Sequence, residues 1–194
     1  MNLFYYPGAC SLADHIALIE TGLSYHLISI QHDRKTEDGR DFLSINPKGY
    51  IPTLELDDGT ILTENQVILN YIAEKSGKLL PKDGIARWRS LEALAFMSSE
   101  IHSRYQPFFR NFSELEKERA REKLAQAFAI LAEQMGDKTF LVSDEMTIAD
   151  CYLFWVLMVA PRSGVELPLA LGRSFEHMRA QPSVIRAFAE EGLG

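Results

Sequence analysis

The spacing of apolar residues divides the chain into a first part with mixed strand and helix patterns and a longer part with helix patterns alone. Short apolar runs at residues 3–5 and 25–30 predict two strands, and apolar positions at helical spacing between them predict a helix that ends at Gly22. We expect Ser11 to cap this helix, because its hydroxyl can accept a hydrogen bond from an unpaired N–H of the first turn. The pattern is that of a βαβ unit.

A hairpin and a further helix are predicted next. Residues 53–56 and 60–62 lie on either side of an Asp-Asp-Gly turn, and Asp-Gly favours a tight hairpin because it readily adopts positive φ angles. Thr63 begins a capping-box pattern for a helix that ends near Lys75. A short helical turn at residues 42–45 precedes the hairpin. The whole segment is therefore predicted to be βαβ, a helical turn, and ββα.

The rest of the chain contains helix patterns and almost no strand pattern. One apolar stripe from Trp88 to Tyr105 predicts a single long helix. Ser113 and Thr147 each begin a capping-box pattern for another helix, and residues 184–191 predict the last one. The predicted fold class is therefore α/β plus all-α.

Glycine and proline residues place a linker between these two parts. We expect a βαβ-ββα domain with a mixed four-stranded sheet at residues 1–76, a linker at 77–85 and an all-helical domain at 86–194. With 194 residues, of which 46% are hydrophobic, the chain has enough apolar side chains for two modest cores.

Charge and composition argue against several classes of protein. The net charge is −7, and the 20 basic residues are spread along the chain, so no basic stripe for nucleic acid is expected. No apolar run approaches the roughly 18 residues of a membrane span, and the N-terminus lacks a signal-peptide pattern. A cytoplasmic protein without membrane contact is therefore expected. Histidines and cysteines form no close ligand-spaced pair, so no metal is expected.

Two cysteines are the first candidates for chemistry, and a reducing compartment would keep both as thiols. Cys10 directly precedes the first helix, where the helix dipole favours a thiolate, so it is either a reactive thiol or an ordinary buried residue. Cys151 and Met146 occupy the hydrophobic-staple positions around Thr147, which predicts a packing role for Cys151.

Four further positions have both a structural and a functional interpretation. Glu64 and Asn65 either favour the dipole of their helix or bind a ligand, with helix N–H groups for a carboxylate and Glu64 for an ammonium group. His102 lies in the apolar stripe and faces either the core or a ligand cleft. The Pro52 bond is either cis or trans.

Several segments resemble bacterial beta-class glutathione S-transferases, in the same order and over nearly the whole chain. They are residues 3–12 (LFYYPGACSL), 46–54 (NPKGYIPTL), 62–65 (LTEN), 100–102 (EIH) and 147–150 (TIAD). The resemblance implies a thioredoxin-like glutathione-binding domain, an all-helical second domain and a homodimer. It also implies a detoxification enzyme that transfers glutathione to small hydrophobic electrophiles.

The resemblance also implies roles for individual residues. The implied catalytic residues are Cys10, which faces the glutathione sulfur, and Ser11 and His102 beside it. Lys35 would bind the glycyl carboxylate, and Ile51 would pair its backbone with the cysteinyl part ahead of cis Pro52. The implied substrate-binding residues are Tyr5, Lys35, Tyr50, Ile51, Pro52, Glu64, Asn65 and, approaching the γ-glutamyl group from the partner subunit, Glu100.

Two positions depart from the family pattern, because Ser103 stands where many members have lysine and Asn65 replaces a commoner small residue. Three functional hypotheses follow. The first is conjugation of glutathione to electrophiles. The second is thiol–disulfide exchange through a mixed disulfide at Cys10. The third is a non-catalytic glutathione-fold protein that serves as a binding or stress-response module, and this hypothesis is disfavoured by four matching residues: Cys10, Lys35, Glu64 and His102.

Overall fold

The computed structural model describes residues 1–193 of the chain. The chain divides into two compact units. The first contains Met1–Leu79 together with the segment that begins at Pro182, and the second is Leu80–Gln181. Within residues 1–193, no helix is both long enough and apolar enough to cross a membrane.

The first unit contains a four-stranded mixed sheet. Its elements are β1 (Asn2–Tyr5), α1 (Ser11–Thr21), β2 (His26–Ser29), α2 (Phe42–Ile45), β3 (Thr53–Glu55), β4 (Ile61–Thr63) and α3 (Asn65–Ser76). The strand order is β2-β1-β3-β4, with β1 parallel to β2 and antiparallel to β3, and β3 antiparallel to β4. The predicted sheet and its hairpin are therefore confirmed.

Apolar side chains fix the layers of this unit. Phe4, Ile28 and Phe42 form one buried cluster, which joins the first two strands to α2. In α1, Leu12 and Ile16 lie four residues apart on one face and are fully buried. The apolar positions that predicted α1 from their helical spacing are therefore buried in the structure.

The second unit is helical. Its elements are α4 (Gly84–Phe96), one π turn (Met97–Ile101), one 3₁₀ turn (His102–Tyr105), α5 (Gln106–Phe109), α6 (Glu114–Met135), α7 (Ile148–Val159), a second 3₁₀ turn (Ala160–Ser163) and α8 (Leu169–Arg179). The predicted capping boxes of α6 and α7 are both present. In the second, Asp150 is fully buried and accepts from the backbone N–H of Thr147 at 2.8 Å and of Leu141 at 2.7 Å.

Two predicted helix starts are wrong. Cys10, not Ser11, is the N-cap residue of α1, and Ser11 is its first helical residue. At α3 the predicted capping box does not form, because Glu64 is the N-cap residue, has a φ of +74° and makes no side-chain cap. In both places the backbone conformation places another residue at the N-cap, although serine and threonine are preferred there.

The second unit differs from its prediction in two ways. The stripe from Trp88 to Tyr105 is not one regular helix, because α4 ends at Phe96 and the chain continues through the π and 3₁₀ turns. The helix α8 was not predicted. It was missed although Leu171, Phe175 and Met178 lie at helical spacing and Leu171 and Met178 are buried.

The last helix, α9 (Pro182–Glu191), belongs to the first unit, whereas the sequence led us to place it in the helical domain. Hydrogen bonds between α1 and α9 explain this. His15 on α1 is fully buried, with Nδ1 2.9 Å from Glu191 Oε1 and Nε2 2.8 Å from Glu190 Oε2. Each ring nitrogen of His15 therefore lies within hydrogen-bond distance of a carboxylate of α9. Glu191 also accepts from the backbone N–H of Gly8 at 2.9 Å.

We expect Glu191→Ala to reduce the free energy of unfolding by about 3 kcal/mol, because it leaves the buried Nδ1 of His15 and the backbone N–H of Gly8 without their partner. Urea unfolding followed by circular dichroism measures this change. Glu176→Ala is the matched control, since Glu176 forms an exposed ion pair on α8 and its removal should leave the urea midpoint almost unchanged. Equal midpoints for the two variants would contradict the role given to the α1–α9 contact.

Candidate active site

Cys10 lies at the junction between the loop after β1 and the first turn of α1. Its thiol is close to the turn before β3, since Sγ lies 3.5 Å from the backbone oxygen of Ile51. The Ile51-Pro52 bond is cis, as the family resemblance implied. Tyr50, directly before it, exposes 69% of its surface, whereas Cys10 exposes only 8%.

Burial determines the charge of this cysteine. It raises the pKa of the Cys10 thiol from its ordinary value of 9.0 to about 12, and the negative charges of Asp14 and Glu64 add to the increase. Hydrogen bonds from the backbone N–H groups of Cys10 and Ser11 lower the pKa, but by less. The structure thus favours a neutral thiol near pH 7. Of the two interpretations that the sequence left open, this favours the buried residue over the reactive thiolate, because loss of hydration outweighs the effect of the helix N-terminus.

Asn65 links the starts of the two helices. Its Nδ2 atom donates to the backbone oxygen of Cys10 at 2.8 Å and to Oδ2 of Asp14 at 2.8 Å. Both amide hydrogens are therefore used inside the protein, so the unpaired donors at the start of α3 are the backbone N–H groups of its first turn. Asp14 is fully buried, and burial raises its pKa well above the ordinary value. Sequence reasoning missed this role of Asp14.

Glu64 extends into solvent beside the same turn, with 66% of its side chain exposed. Lys48 approaches it, with Nζ 3.1 Å from Glu64 Oε1 and 2.8 Å from Thr63 Oγ1. Lys48 was also missed, although it lies in the Asn-Pro-Lys-Gly segment that carries the resemblance. The φ of +74° at Glu64 is unusual for a residue with a side chain, and such conformations concentrate at functional sites.

The remaining candidates in the first unit differ in their surroundings. Ser11 Oγ is fully buried and has no hydrogen-bond partner among residues 1–193. Tyr5 is buried, and burial together with the charges of Glu191 and Glu37 raises its pKa, so it stays a neutral phenol. Lys35 is exposed on the loop after β2, and its ammonium group forms no ion pair within residues 1–193.

Two candidates lie in the second unit. His102 begins the 3₁₀ turn that follows the π turn, and its Nδ1 lies 2.7 Å from the hydroxyl of Tyr152. Glu100 forms an ion pair with Arg104 at 2.6 Å and therefore already has a cation beside it within its own chain. The hydroxyl of Ser103, the position that departs from the family pattern, donates to the backbone oxygen of Ser99.

Direct contacts thus join Cys10, Ile51, Asn65 and Asp14 into one hydrogen-bonded group, and Glu64 and Asn65 are neighbours at the start of α3. Such a group offers helix N–H donors and a backbone strand segment beside a sulfur atom. An extended peptide with a thiol has the complementary groups.

Comparison with known proteins agrees with this geometry. Two protein-family models match the chain, "Glutathione S-transferase, N-terminal domain" at residues 9–75 and "Glutathione S-transferase, C-terminal domain" at residues 92–181. Glutathione S-transferase GstA of Escherichia coli O157:H7 is 37% identical over the full length of both chains. The chain belongs to the glutathione S-transferase family.

Solved structures of family members are similar along the whole chain. A sphingomonad glutathione S-transferase complexed with glutathione is 37% identical, covers 100% of both chains and superposes with a TM-score of 0.93. The bacterial beta-class enzyme of Sphingomonas chungbukensis is 38% identical, with the same coverage and a TM-score of 0.92. The family, the fold class and the assignment as a glutathione transferase are therefore confirmed, and the comparisons do not favour the non-catalytic alternative.

We expect the alkylation rate of Cys10 by iodoacetamide to rise about tenfold per pH unit from pH 7 to pH 9 without a plateau, because a pKa of about 12 keeps the thiolate fraction small throughout. Mass spectrometry of the cysteine peptides measures this rate. Cys151, which is completely buried, should stay unlabelled in the folded protein and serves as the internal control. A rate plateau below pH 8 would show that Cys10 is a stabilised thiolate after all.

Proposed function

We propose that this glutathione transferase binds glutathione in its first unit and joins the glutathione sulfur to small hydrophobic electrophiles. The observation that supports this most directly is the position of Cys10 Sγ, 3.5 Å from the backbone oxygen of Ile51 and next to cis Pro52. A tripeptide that extends along the backbone at Ile51 would carry its own thiol to the start of α1.

The charges around this segment match those of glutathione, which has two carboxylates and one ammonium group. The exposed carboxylate of Glu64 suits the ammonium group, and the backbone N–H groups at the start of α3 suit the γ-glutamyl carboxylate. Lys35, an exposed cation on the loop after β2, suits the glycyl carboxylate. Lys48 would be a second cation beside Glu64, in addition to the ligand ammonium group. Its Nζ atom lies 3.1 Å from Oε1 and holds the Glu64 carboxylate in place.

Stabilisation of the glutathione thiolate requires hydrogen-bond donors near its sulfur. The first turn of α1 supplies N–H groups, and Ser11 supplies a buried hydroxyl. A neutral Cys10 is compatible with this task, because a second thiolate next to the first would repel it. In the conjugation step the thiolate forms a carbon–sulfur bond while the leaving group, such as chloride, departs with the electron pair of its bond.

The neutral state of Cys10 also bears on the second hypothesis. Thiol–disulfide exchange needs a thiolate as the attacking group, and the raised pKa of Cys10 makes that form scarce near neutral pH. Conjugation is therefore proposed as the main activity and exchange as a slow one.

We further propose a cytoplasmic homodimer that acts in detoxification. On α4, Ile85 and Trp88 expose 71% and 64% of their surfaces and lie three residues apart, on one face of the helix. An exposed apolar face of this kind supports association with a second copy, and two-fold pairing is the commonest form of association. Glu100 would then approach the γ-glutamyl group bound by the partner subunit.

We expect Glu64→Gln to raise the KM for glutathione about tenfold, with a smaller effect on kcat, because the ligand ammonium group loses its anion in both the ground state and the transition state. Steady-state kinetics with chlorodinitrobenzene at saturating electrophile measures both constants. Glu122→Gln, which neutralises an exposed glutamate on α6, is the control and should behave like the unmodified protein. An unchanged KM would remove Glu64 from the glutathione site.

The protein should have twice the mass of one chain in light scattering at micromolar concentration. Trp88→Glu should shift it towards the monomer, because the substitution places a charge in the proposed apolar contact. Leu115→Glu, at another exposed apolar position on α6, should leave the mass unchanged. A monomeric unmodified protein would contradict the proposed homodimer.

A further inference from the structure

Asp14 is a buried acid that lies one helical turn after Cys10 on the same face of α1. Residues four positions apart in a helix are neighbours, with about 5–6 Å between their Cβ atoms. Asn65 on α3 also joins them, because its Nδ2 atom donates to the backbone oxygen of Cys10 and to Oδ2 of Asp14, each at 2.8 Å. The carboxyl group is therefore held close to the cysteine by the helix itself and by a second element of the first unit.

The charge of this carboxyl group has little compensation from its surroundings. Asp14 is fully buried, its Oδ2 atom accepts from the neutral amide of Asn65, and its Oδ1 atom has no hydrogen-bond partner among residues 1–193. Burial raises the pKa of Asp14, while the amide of Asn65 and its own backbone N–H lower the pKa by less. A carboxylate in such surroundings acts strongly on other charges nearby, because little water is present to screen it.

Asp14 and Cys10 are two acids in one buried region, and such acids ionise one after the other because the first negative charge opposes the second. The carboxyl group has the lower ordinary pKa, 3.8 against 9.0 for the thiol, so it takes the first charge. Burial is the largest cause of the raised pKa of Cys10, and the charge of Asp14 is the next. Glu64 contributes less, since its side chain is mostly exposed and Lys48 lies beside it.

We propose that Asp14 is a specificity-determining residue of this site, whose buried carboxylate keeps Cys10 a neutral thiol and thereby suppresses thiol–disulfide exchange relative to conjugation. In the suppressed step, the thiolate of Cys10 attacks one sulfur of oxidised glutathione and forms a mixed disulfide. The other half leaves as a glutathione thiolate with the electron pair of the broken S–S bond. Asp14 only makes the attacking thiolate scarce. The inference rests on the proposed function, in which conjugation is the main activity.

The experiment uses the variant Asp14→Asn, which removes the charge and keeps an oxygen that can accept from Asn65. We expect alkylation of Cys10 by iodoacetamide at pH 7, measured without glutathione, to become about tenfold faster, because the thiolate fraction rises. Addition of one glutathionyl group from oxidised glutathione, followed by mass spectrometry, should become faster by a similar factor. The ratio of this exchange rate to kcat/KM for conjugation with chlorodinitrobenzene should therefore rise about tenfold.

Glu20→Gln is the matched control, because it removes an exposed carboxylate from the same helix and should leave the alkylation rate of Cys10 unchanged. Asp14→Ser, with a smaller neutral acceptor, is a second test and should accelerate alkylation as well. Circular dichroism checks that the variants are folded. An unchanged rate in a folded Asp14→Asn or Asp14→Ser protein would overturn the proposal. Faster labelling of Cys151 as well would show loosened packing as the cause and would also overturn it.

The alkylation measurement separates this proposal from the proposed function, because it needs neither glutathione nor an electrophilic substrate of the enzyme. Faster alkylation of Cys10 in Asp14→Asn without faster glutathionylation would overturn the specificity role and leave the proposed function standing. If the unmodified protein binds glutathione but conjugates none, the proposed function itself is wrong, whatever the alkylation rates of the two proteins are.

Discussion

The side-chain amide of Asn65 is the contact on which the arrangement of the candidate site depends most. It has only two hydrogens, and both are used inside the protein, one for the backbone of Cys10 and one for Asp14. The start of α3 is thereby held against the start of α1. The backbone donors of both helices consequently lie in one small region, together with the sulfur of Cys10. A small residue at this position would provide no such bridge, so the departure from the family pattern has a structural consequence.

The charge state of Cys10 results from two opposing effects. The helix N-terminus favours a thiolate, and removal from water disfavours it, with burial as the larger effect here. The charge of the neighbouring Asp14 carboxylate also raises the pKa of the Cys10 thiol, by repulsion. A cysteine in this condition is suited to stand beside the thiolate of a substrate and is less suited to be the nucleophile itself. This balance supports the proposal that conjugation is the main activity.

Buried polar groups also fix parts of each unit that apolar packing leaves less well defined. In the first unit, the carboxylates of α9 enclose His15 of α1 and thereby attach the last helix to the sheet domain. In the second unit, Asp150 satisfies backbone donors both at the start of α7 and at Leu141 in the preceding loop. Removal of one partner from such a contact is costly because the other is left without hydration.

The sequence by itself determined the features that depend on neighbouring residues. The strand and helix order of the first unit, the Asp-Gly hairpin and the capping boxes at Ser113 and Thr147 could be predicted, because periodicity and turn chemistry act over a few positions. The family motifs led directly to the neighbourhood of Cys10 and Ile51.

Only the tertiary structure decided the features that depend on distant residues. Cys10 rather than Ser11 became the N-cap residue, the long helix changed to a π turn before His102, and α9 joined the first unit. The bridge from Asn65 to Cys10 and the contact between His102 and Tyr152 likewise join residues 55 and 50 positions apart, and the raised pKa of Cys10 follows chiefly from burial in the folded chain. Burial and long-range hydrogen bonds are properties of the folded chain, and no local pattern contains them.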